Sequence, residues 1–454
     1  MVRVTFARKA IESLTMVRLN RRRFGLGLIG VGASLAGPSR IALAQGAAKV
    51  VIVGGGPGGA SVAGQLKRSA PELDVTLIEP LTLYTSCFFS NHYMGGTRTL
   101  SSLTHSYAGL SALGVKIIHE YADAIDTAKR VVRLRAGHEL AYDRLVVAPG
   151  IEFKTGGIEG YTPDCKDAMP HAWSGRAQLK LLRAKLEGMP DGGVVVIAAP
   201  RLPYRCPPGP YERACTIANY LKTQKPKSKL ILLDPKMTFS KQPVFMEAFN
   251  TFYRDIVEVH LTNDIDDQGL AHINVATGEI VTKAGLKVVA SVANIIPDQT
   301  AGRIALQSGL AEGDWCPVHP ESFASVKAEG VYVLGDAAFA AEMPKSAFAA
   351  NSQARIVTAM LLNELASKPK PAARYRNTCW SFLAPGNSAK IGADYAPGDV
   401  RGKPGLVPSG SFVSQPGEAA SVRKDVYDES FAWYDTLTND VFQKDAAKAR
   451  ASKL

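Results

Sequence analysis

A cysteine in a proline-rich turn is the most informative chemical feature of this sequence. Residues 194–214 read VVVIAAPRLPYRCPPGPYERA, an apolar run typical of a buried strand followed by Cys206 and three prolines. In a dinucleotide-binding unit, such a strand leads into a glycine loop that holds phosphates. Here the turn presents a thiol instead, and a thiol in a rigid turn is suited to thiol–disulfide exchange.

A glycine loop does occur earlier in the chain. Residues 49–66 read KVVIVGGGPGGASVAGQL, in which Gly54, Gly56 and Gly59 have the G-x-G-x-x-G spacing between a strand-like and a helix-like segment. The first glycine allows a tight turn, the second lets the backbone approach a pyrophosphate, and the third lets helix pack on strand. A second strand-like run ends in Glu79, where an acid is expected to bind ribose hydroxyls. These residues predict an adenine dinucleotide site.

A later strand delivers a second candidate group for the same ligand. Residues 330–337 read GVYVLGDA, with Gly335 and Asp336 at the end of the apolar run. This pattern suits close backbone approach to a flavin chain, with the carboxylate of Asp336 accepting a hydrogen bond from a ribityl hydroxyl. The alternative is a plain turn at the end of a strand.

Strand-like and helix-like runs alternate along most of the chain, which favours an α/β fold with a parallel, doubly wound sheet. Runs at residues 116–119, 131–134 and 145–147 extend the first unit. A second unit follows, and its second strand ends in Asp234 as the earlier one ended in Glu79, so one fold is used twice. The second unit has no glycine loop for a nicotinamide dinucleotide.

The predicted domain boundaries follow from these units. Residues 45–155 and 288–365 are assigned to a flavin-binding domain, 156–287 to a second Rossmann-like domain, and 366–454 to a C-terminal domain. The last 35 residues are predicted to be helical and are highly charged. This composition indicates a solvated helix and argues against membrane anchoring.

The N-terminal segment, residues 1–44, has the features of an export signal. Three arginines at 21–23 precede an apolar run at 25–36 that is too short to span a bilayer, and small residues at 42–44 suit cleavage. A twin-arginine signal addresses proteins that are exported already folded, which predicts a periplasmic protein. The alternative is a basic arm that the mature protein retains.

The charge of the chain points to no nucleic-acid partner. Its net charge of +12 includes a surplus of +7 in residues 1–44, which leaves about +5 for the remainder. The sequence contains no metal-binding signature and no C-x-x-C-H motif, so the chain is not expected to attach a c-type haem itself.

Taken together, the motifs of this chain resemble the flavoprotein subunit of flavocytochrome c sulfide dehydrogenase, over almost the whole sequence after the N-terminal segment. The resemblance implies a glutathione-reductase-like α/β fold, with two Rossmann-type dinucleotide-fold domains and a C-terminal interface domain. The glycine loop and the Gly-Asp pair are common to many flavoenzymes, whereas RCPPGPYERA (205–214) and NTCWS (377–381) are more specific. The matching segments are YTSCFFSN (84–91), PHAW (170–173), DWCPV (314–318), GDAA (335–338), MPKSAFAANSQ (343–353), RCPPGPYERA (205–214) and NTCWS (377–381).

The resemblance assigns roles to three of the six cysteines, which sequence alone leaves open among fifteen complete pairings. It implies that Cys87 carries the flavin of FAD through a thioether to the 8α position. It also implies that Cys206 and Cys379 form a redox disulfide that hydrosulfide attacks. Attack at Cys206, with Cys379 facing the flavin, is the hypothesis; the opposite order stays open.

Two further residues are candidates for supporting roles. Glu212, six residues after Cys206, is a candidate proton acceptor for hydrosulfide, with a surface or helix-capping role as the alternative. Lys345 follows the Gly-Asp pair and is a candidate cation for the N1/C2=O edge of a reduced flavin, with a solvated surface lysine as the alternative.

The resemblance implies a separate c-type cytochrome subunit as the electron acceptor, since flavin electrons must leave one at a time. The predicted function is therefore oxidation of sulfide to sulfur or polysulfide, with electrons passing to that cytochrome. The main alternative is a sulfide:quinone oxidoreductase. A nicotinamide-linked disulfide reductase would need a second glycine loop, and a non-catalytic flavoprotein would not be bleached by sulfide.

Overall fold

Two parallel sheets organise the chain in the computed structural model, which describes residues 47–451. The predicted export signal at 1–44 lies outside the described residues. The strands of the described part are β1 (Lys49–Val53), β2 (Asp74–Ile78), β3 (Leu83–Thr85), β4 (Thr104–Ser106), β5 (Lys116–Ile118), β6 (Ala122–Asp126), β7 (Val131–Leu134), β8 (Glu139–Ala141), β9 (Arg144–Val147), β10 (Ile151–Phe153), β11 (Val194–Ala198), β12 (Lys229–Leu233), β13 (Val257–His260), β14 (Leu270–Asn274), β15 (Glu279–Thr282), β16 (Lys287–Val289), β17 (Val292–Ile295), β18 (Gln299–Ala301), β19 (Cys316–Pro317), β20 (Val331–Val333), β21 (Ala338–Phe339), β22 (Tyr375–Ala384), β23 (Asn387–Val400) and β24 (Lys403–Val413).

The helices begin and end where capping residues and prolines permit. Pro57 lies in the first turn of the first long helix, and the Ser346 hydroxyl caps the ninth by accepting from the Ala349 N–H at 3.0 Å. The helices are α1 (Pro57–Ser69), α2 (Asn91–Met94), α3 (Ala108–Ala112), α4 (Arg176–Gly188), α5 (Gly209–Gln224), α6 (Gln242–Phe252), α7 (Thr262–Ile265), α8 (Arg303–Gln307), α9 (Ala347–Leu365), α10 (Ala420–Phe442) and α11 (Lys444–Ala451).

The first parallel sheet has the strand order β20-β9-β1-β2-β5. Its central strand β1 pairs with β2 on one side and β9 on the other, and its apolar residues are buried. Strand β20 comes from much later in the sequence and pairs with β9. Because the strands are parallel, the glycine loop after β1, Glu79 after β2 and Gly335 after β20 all lie at one edge of the sheet.

The second parallel sheet has the order β13-β12-β11-β17 and repeats the first unit. Strand β11 is followed by α5 and then by β12, which pairs in parallel with β11. Strand β17 pairs with β11 from the other side, so the second sheet extends past the predicted boundary at residue 287. The fold is thus α/β with two Rossmann-like domains, as predicted.

One predicted strand of the first sheet lies elsewhere. Residues 131–134 form β7, which is the middle strand of an antiparallel sheet with β6 and β8. The prediction that this run joins the parallel sheet was wrong, because its short connections to both neighbours allow hairpin pairing and leave no room for a crossover helix.

The C-terminal part contains a structure that the sequence analysis did not predict. Strands β22, β23 and β24 form an antiparallel sheet, and β22 packs against α5 and α9. Helix α10 then returns to the core and buries Val426, Tyr434 and Phe442 among other residues. The expectation of a solvated C-terminal helix was therefore wrong for α10, because one side of the helix, including Arg423, is buried against the rest of the protein. Among the described residues, no helix has the length and apolar character needed to cross a membrane.

Candidate flavin and disulfide site

A cleft of about 1540 Å³, here called the nucleotide cleft, lies at the edge where the strands of the first sheet end. The glycine loop, Glu79, Gly335 and Asp336 all line it. The structure therefore brings together most of the residues that the sequence assigned to FAD.

The glycines of the loop are required by close backbone approach. Gly54 has φ +99°, and a Cβ atom there would lie 2.3 Å from the Ala148 carbonyl oxygen. A Cβ at Gly59 would lie 2.0 Å from the Gly54 carbonyl oxygen, so this glycine lets α1 pack on the loop. Gly56 precedes α1 and lines the cleft. Side chains at Gly54 and Gly59 would displace the backbone of the loop, whereas a Cβ at Gly56 would meet only the Tyr84 side chain at 3.7 Å.

Glu79 is held by backbone groups at the rim of the cleft. Its carboxylate accepts hydrogen bonds from the N–H groups of Gly55 at 2.8 Å and Leu81 at 3.0 Å. Burial nevertheless raises the pKa of Glu79 above its ordinary value. The side chain is thus oriented into the cleft that it lines, where ribose hydroxyls would supply further donors.

Asp336 provides the clearest test of whether the cleft suits a flavin. One carboxylate oxygen accepts from Arg205 Nε at 2.6 Å, while the other is buried and has no partner among the described residues. Gly335 before it has φ +73° and donates its N–H to Gln353 Oε1 at 2.7 Å. A buried carboxylate oxygen without a partner is costly, and a ligand hydroxyl would satisfy it. The residues present therefore fit FAD.

Cys87 lies where the nucleotide cleft meets a second, more enclosed cavity of about 730 Å³, here called the inner cavity. Tyr84, Arg205 and Asp336 also line both. Burial raises the pKa of the Cys87 thiol, whereas the charge of Arg205 opposes that shift. The thiol is therefore placed at the junction of the two cavities.

Cys206 lines the inner cavity from the turn before α5. Its φ is +59°, a left-handed conformation that is strained for a residue with a side chain. Its N–H donates to the Lys345 carbonyl at 2.8 Å, and its own carbonyl accepts from Gly209 N–H at 2.8 Å. Burial raises the pKa of Cys206 well above the ordinary value. The turn thus holds Cys206 in a half-buried position by hydrogen bonds on both its backbone groups.

Cys379 lines the same inner cavity from β22. Its Sγ lies 3.5 Å from Nδ2 of Asn377, and both Cys206 and Cys379 are free thiols in this structure. Burial raises the pKa of Cys379, and Lys241 opposes the shift. The fold therefore gathers the three cysteines singled out in the sequence around one cavity, although they come from three separate parts of the chain.

Glu212 is a buried residue of α5 that also lines the inner cavity. Its carboxylate accepts from Asn91 Nδ2 at 2.6 Å and from the Phe382 N–H at 2.9 Å. Burial raises its pKa despite these hydrogen bonds. The alternative of a surface glutamate was wrong, and a carboxyl group with a raised pKa suits proton exchange.

Lys345 is half-buried and its ammonium contacts other parts of the protein, so the alternative of a solvated surface lysine was wrong. Its ammonium donates to the carbonyls of Asp336 at 2.7 Å and Ala338 at 2.8 Å, and lies 3.6 Å from the centre of the Trp315 ring. Burial lowers its pKa to about 8. The described residues lining the two cavities do not include Lys345, and its carbonyl holds Cys206. These contacts make it a support for the Asp336 and Cys206 loops.

Lys241 is a functional candidate that the sequence analysis missed. It lies just before α6 with φ +60°, and its ammonium donates to the Cys379 carbonyl at 3.1 Å and to Ser381 Oγ at 2.8 Å. Burial lowers its pKa to about 8, and the charges of Cys379 and Glu212 oppose this shift. No motif marks Lys241, because it lies far in sequence from both cysteines.

In the second Rossmann-like domain, the acidic residue at the end of the second strand is buried. Asp234 at the end of β12 is fully buried and accepts from the Tyr211 hydroxyl at 2.7 Å. It also forms an ion pair of 2.5 Å with Lys236. In a dinucleotide site this acid would face ribose hydroxyls. Asp234 is paired inside the protein instead, and the same domain has no glycine loop.

Three family profiles match the chain. "Pyridine nucleotide-disulphide oxidoreductase" covers residues 48–196, "Sulfide dehydrogenase [flavocytochrome c] flavoprotein chain, central" covers 179–297, and "Flavocytochrome c sulphide dehydrogenase, flavin-binding" covers 371–442. A sulfide dehydrogenase [flavocytochrome c] flavoprotein chain of Chlorobaculum thiosulfatiphilum is 52% identical over 46 residues, which are 10% of this chain and 96% of that sequence. The chain belongs to the flavocytochrome c sulfide dehydrogenase flavoprotein family.

The chain is also similar to sulfide:quinone oxidoreductases and to a persulfide reductase. The mitochondrial sulfide:quinone oxidoreductase of Mus musculus is 23% identical over 340 residues, covering 71% of this chain and 74% of that protein. The structure of the Aquifex aeolicus sulfide:quinone oxidoreductase matches with a TM-score of 0.64 at 18% identity, over 87% of this chain and 92% of that one. An NAD-dependent persulfide reductase from A. fulgidus matches with a TM-score of 0.62 at 16% identity, over 84% and 76%. The family membership makes the protein an FAD-dependent, sulfide-oxidising enzyme, and the structural matches bear out its fold.

Proposed function

We propose that this flavoprotein oxidises hydrosulfide through a disulfide between Cys206 and Cys379 and passes the electrons to a c-type cytochrome subunit. One observation carries the proposal: Cys87, Cys206 and Cys379 line a single cavity that shares residues with the nucleotide cleft. The cavity that contains the three cysteines therefore adjoins the cleft that is expected to bind the flavin. FAD, when bound, supplies a two-electron acceptor there.

Cys87 is proposed to carry FAD covalently. Its position at the junction of the two cavities supports this, since the glycine loop and Glu79 line the nucleotide cleft but not the inner cavity. Attachment through sulfur requires a thiolate, and Arg205 favours that charge against the effect of burial. A covalent bond would also keep the cofactor on a protein that is exported after folding.

The cysteine pair is proposed to work by thiol–disulfide exchange. Hydrosulfide attacks one sulfur of the pair, the bond between the two cysteines breaks, and the other cysteine leaves as a thiolate. Glu212 lines the inner cavity with both cysteines, and the Lys241 ammonium donates to the Cys379 carbonyl. The ammonium of Lys241 stabilises the thiolate, and the carboxyl group of Glu212 exchanges the proton of the sulfur substrate.

The Lys241→Met variant tests the ammonium through the pH dependence of flavin reduction. Because the pKa of Lys241 is about 8, its charge is present below that pH and is lost as the pH rises through it. Flavin reduction by hydrosulfide should therefore slow above about pH 8 in the native protein. The variant should lose this alkaline limb and be roughly tenfold slower at pH 7. Lys236→Met removes another buried lysine, paired with Asp234, and should keep the limb; a limb retained in Lys241→Met contradicts the role.

The compartment and the electron acceptor are proposed together. The basic, apolar segment at residues 1–44 supports twin-arginine export to the periplasm. A soluble c-type cytochrome subunit is the acceptor suited to that compartment, and the name of the family supports the same partner. A sulfide:quinone oxidoreductase is the second candidate, favoured by the relative from Mus musculus.

An anaerobic titration separates these candidates. The purified holoprotein is mixed with hydrosulfide, the flavin absorbance is followed, and then oxidised cytochrome c or a soluble quinone is added. We expect hydrosulfide to bleach the flavin and cytochrome c to restore its absorbance faster than the quinone does. Faster reoxidation by the quinone would favour the second candidate, and no bleaching would exclude both.

A further inference from the structure

Arg213, which follows Glu212 on α5, carries its charge in the interior of the protein. Its side chain is only 1% exposed. Burial lowers the pKa of Arg213 to about 10, so the side chain stays charged at neutral pH. Burying a charge costs free energy unless hydrogen bonds satisfy it, and each hydrogen bond that the structure gives to this guanidinium ends on a neutral oxygen.

The oxygens around this guanidinium come from distant parts of the chain. Arg213 Nη2 donates to the Ala172 carbonyl at 2.8 Å, and Nη1 donates to the His171 carbonyl at 3.1 Å. Nη1 also donates to Asn294 Oδ1 at 2.9 Å, and Nε donates to Asn91 Oδ1 at 3.0 Å. These acceptors hold the guanidinium in one place and one orientation.

Arg213 determines which end of the Asn91 amide faces Glu212. A guanidinium can only donate, so the amide must turn its oxygen toward Arg213. Asn91 Nδ2 then donates to Glu212 Oε2 at 2.6 Å and to the Gly209 carbonyl at 3.2 Å. The cation therefore acts on Glu212 through an intervening amide.

Both carboxylate oxygens of Glu212 accept from N–H groups. Asn91 Nδ2 donates to Oε2, and the Phe382 N–H donates to Oε1 at 2.9 Å. Neither donor can accept a proton in return, so both hydrogen bonds favour the ionised carboxylate. They oppose burial, which raises the pKa of Glu212.

Several charged or titratable side chains also act on Glu212. The two cations favour the carboxylate, and the cysteines disfavour it when they are thiolates. These groups are Arg213, Lys241, Cys206, Cys215 and Cys379. Asn91 differs from all of them because it is neutral and can either donate or accept toward Glu212. Its orientation therefore changes the sign of its effect.

We propose that Arg213 and Asn91 are positioning residues, and that together they keep Glu212 an ionised acceptor for the substrate proton. This inference rests on the proposed function, in which Glu212 exchanges that proton, and adds the residues that set the direction of the exchange. In the transfer, an S–H bond of the substrate breaks and its electron pair stays on sulfur. The proton bonds to a carboxylate oxygen of Glu212, so that charge is conserved and nothing is oxidised or reduced.

Asn91 is the better of the two residues to replace. The Trp173 ring lies 4.6 Å from the Arg213 guanidinium, and Trp173 Nε1 donates to the Arg205 carbonyl at 3.1 Å, just before Cys206. Removing Arg213 would therefore also disturb the cysteine turn. Asn91→Asp has nearly the same shape and keeps an acceptor for Arg213, but it presents a second carboxylate oxygen to Glu212.

The titration of Glu212 tests the proposal directly. Infrared difference spectra of the oxidised holoprotein are recorded across a pH range, and the band of protonated Glu212 is identified by its loss in Glu212→Gln. We expect the midpoint of this band to lie at least about one pH unit higher in Asn91→Asp than in the native protein, because two neighbouring carboxylates disfavour double ionisation. Asn91→Leu, which removes the donor and adds no charge, should give a smaller upward shift.

Flavin reduction by hydrosulfide should follow the same order. A proton acceptor works above its pKa and is lost as the pH falls through it, so a raised pKa moves the acidic limb of the rate to higher pH. Ionisation of the substrate is common to all variants, and Glu212→Gln records that contribution alone. A merely structural defect would slow the reaction at every pH and leave the limb in place.

Asn294→Asp is the matched control. Asn294 also accepts from Arg213, but its amide donates to the Pro170 and His171 carbonyls and not to Glu212. We expect less than half the shift seen with Asn91→Asp. Equal shifts in these two variants, or a native midpoint in both Asn91 variants, would overturn the positioning role. A native rate and pH profile in Glu212→Gln would instead overturn the part of the proposed function that assigns proton exchange to Glu212.

Discussion

Replacement of Cys379 by serine is expected to abolish flavin reduction by hydrosulfide while leaving the bound flavin intact. Serine keeps the size of the side chain and its hydrogen bonding to Asn377, but it removes the sulfur that completes the proposed disulfide. Without that bond, hydrosulfide has no leaving thiolate to displace. We expect the rate of bleaching in anaerobic stopped-flow measurements to fall by at least about 10³-fold.

Two further variants make this result specific. Cys206→Ser should be equally inactive, because either substitution removes the same bond and their effects should not add. Cys165→Ser is the control, since Cys165 is partly exposed and contacts the Gly160 carbonyl away from the described cavity lining. Bleaching at the native rate in Cys379→Ser would show that a disulfide is not the acceptor of the substrate sulfur.

The first nucleotide unit could be predicted from sequence because its determinants are local. Gly54, Gly56 and Gly59 lie within six residues, and the strand, turn and helix that they join are adjacent in the chain. Gly54 and Gly59 meet a steric need that the backbone of the loop imposes. Asp336 was found for the same reason, since a strand followed by Gly-Asp marks the end of a parallel strand.

The environment of the cysteine pair depends on contacts between distant parts of the chain. Glu212 lies on α5, which packs against β22, and its carboxylate accepts from the N–H of Phe382, 170 residues later. Lys241 reaches the carbonyl of Cys379 across 138 residues. Neither contact leaves a periodic pattern in the sequence. Glu212 was therefore named as a candidate but not predicted to be buried, and Lys241 was not named at all.

Errors in the predicted fold have a related cause. The run at 131–134 alternates as any strand does, and its sequence does not specify whether its neighbours pair in parallel or antiparallel fashion. Helix α10 is rich in charge, yet Tyr434 and Phe442 on its other side pack into the core beside Phe89 and Tyr84. The high overall charge of the helix therefore did not indicate that Tyr434 and Phe442 would be buried.

Replacement of Cys87 by serine is expected to convert a covalent flavin into a dissociable one. The cleft residues that hold the dinucleotide are unchanged, so FAD should still bind to the folded protein. On denaturation, the native chain should keep its flavin on the peptide containing Cys87, and the variant should release all of it. Mass spectrometry of the denatured protein and absorbance of the filtrate measure the two outcomes.

The charges around Cys87 allow a second test, which measures what fraction of the flavin is covalently attached. Burial raises the pKa of the thiol, and Arg205, which is fixed by Asp336, is the cation that opposes this shift. Arg205→Met should therefore give a chain that binds FAD but carries only a fraction of it covalently, since less thiolate is available. The Cys165→Ser control should retain full attachment. Flavin that stays on denatured Cys87→Ser protein would place the bond at another residue, and full attachment in Arg205→Met would remove the need for that cation.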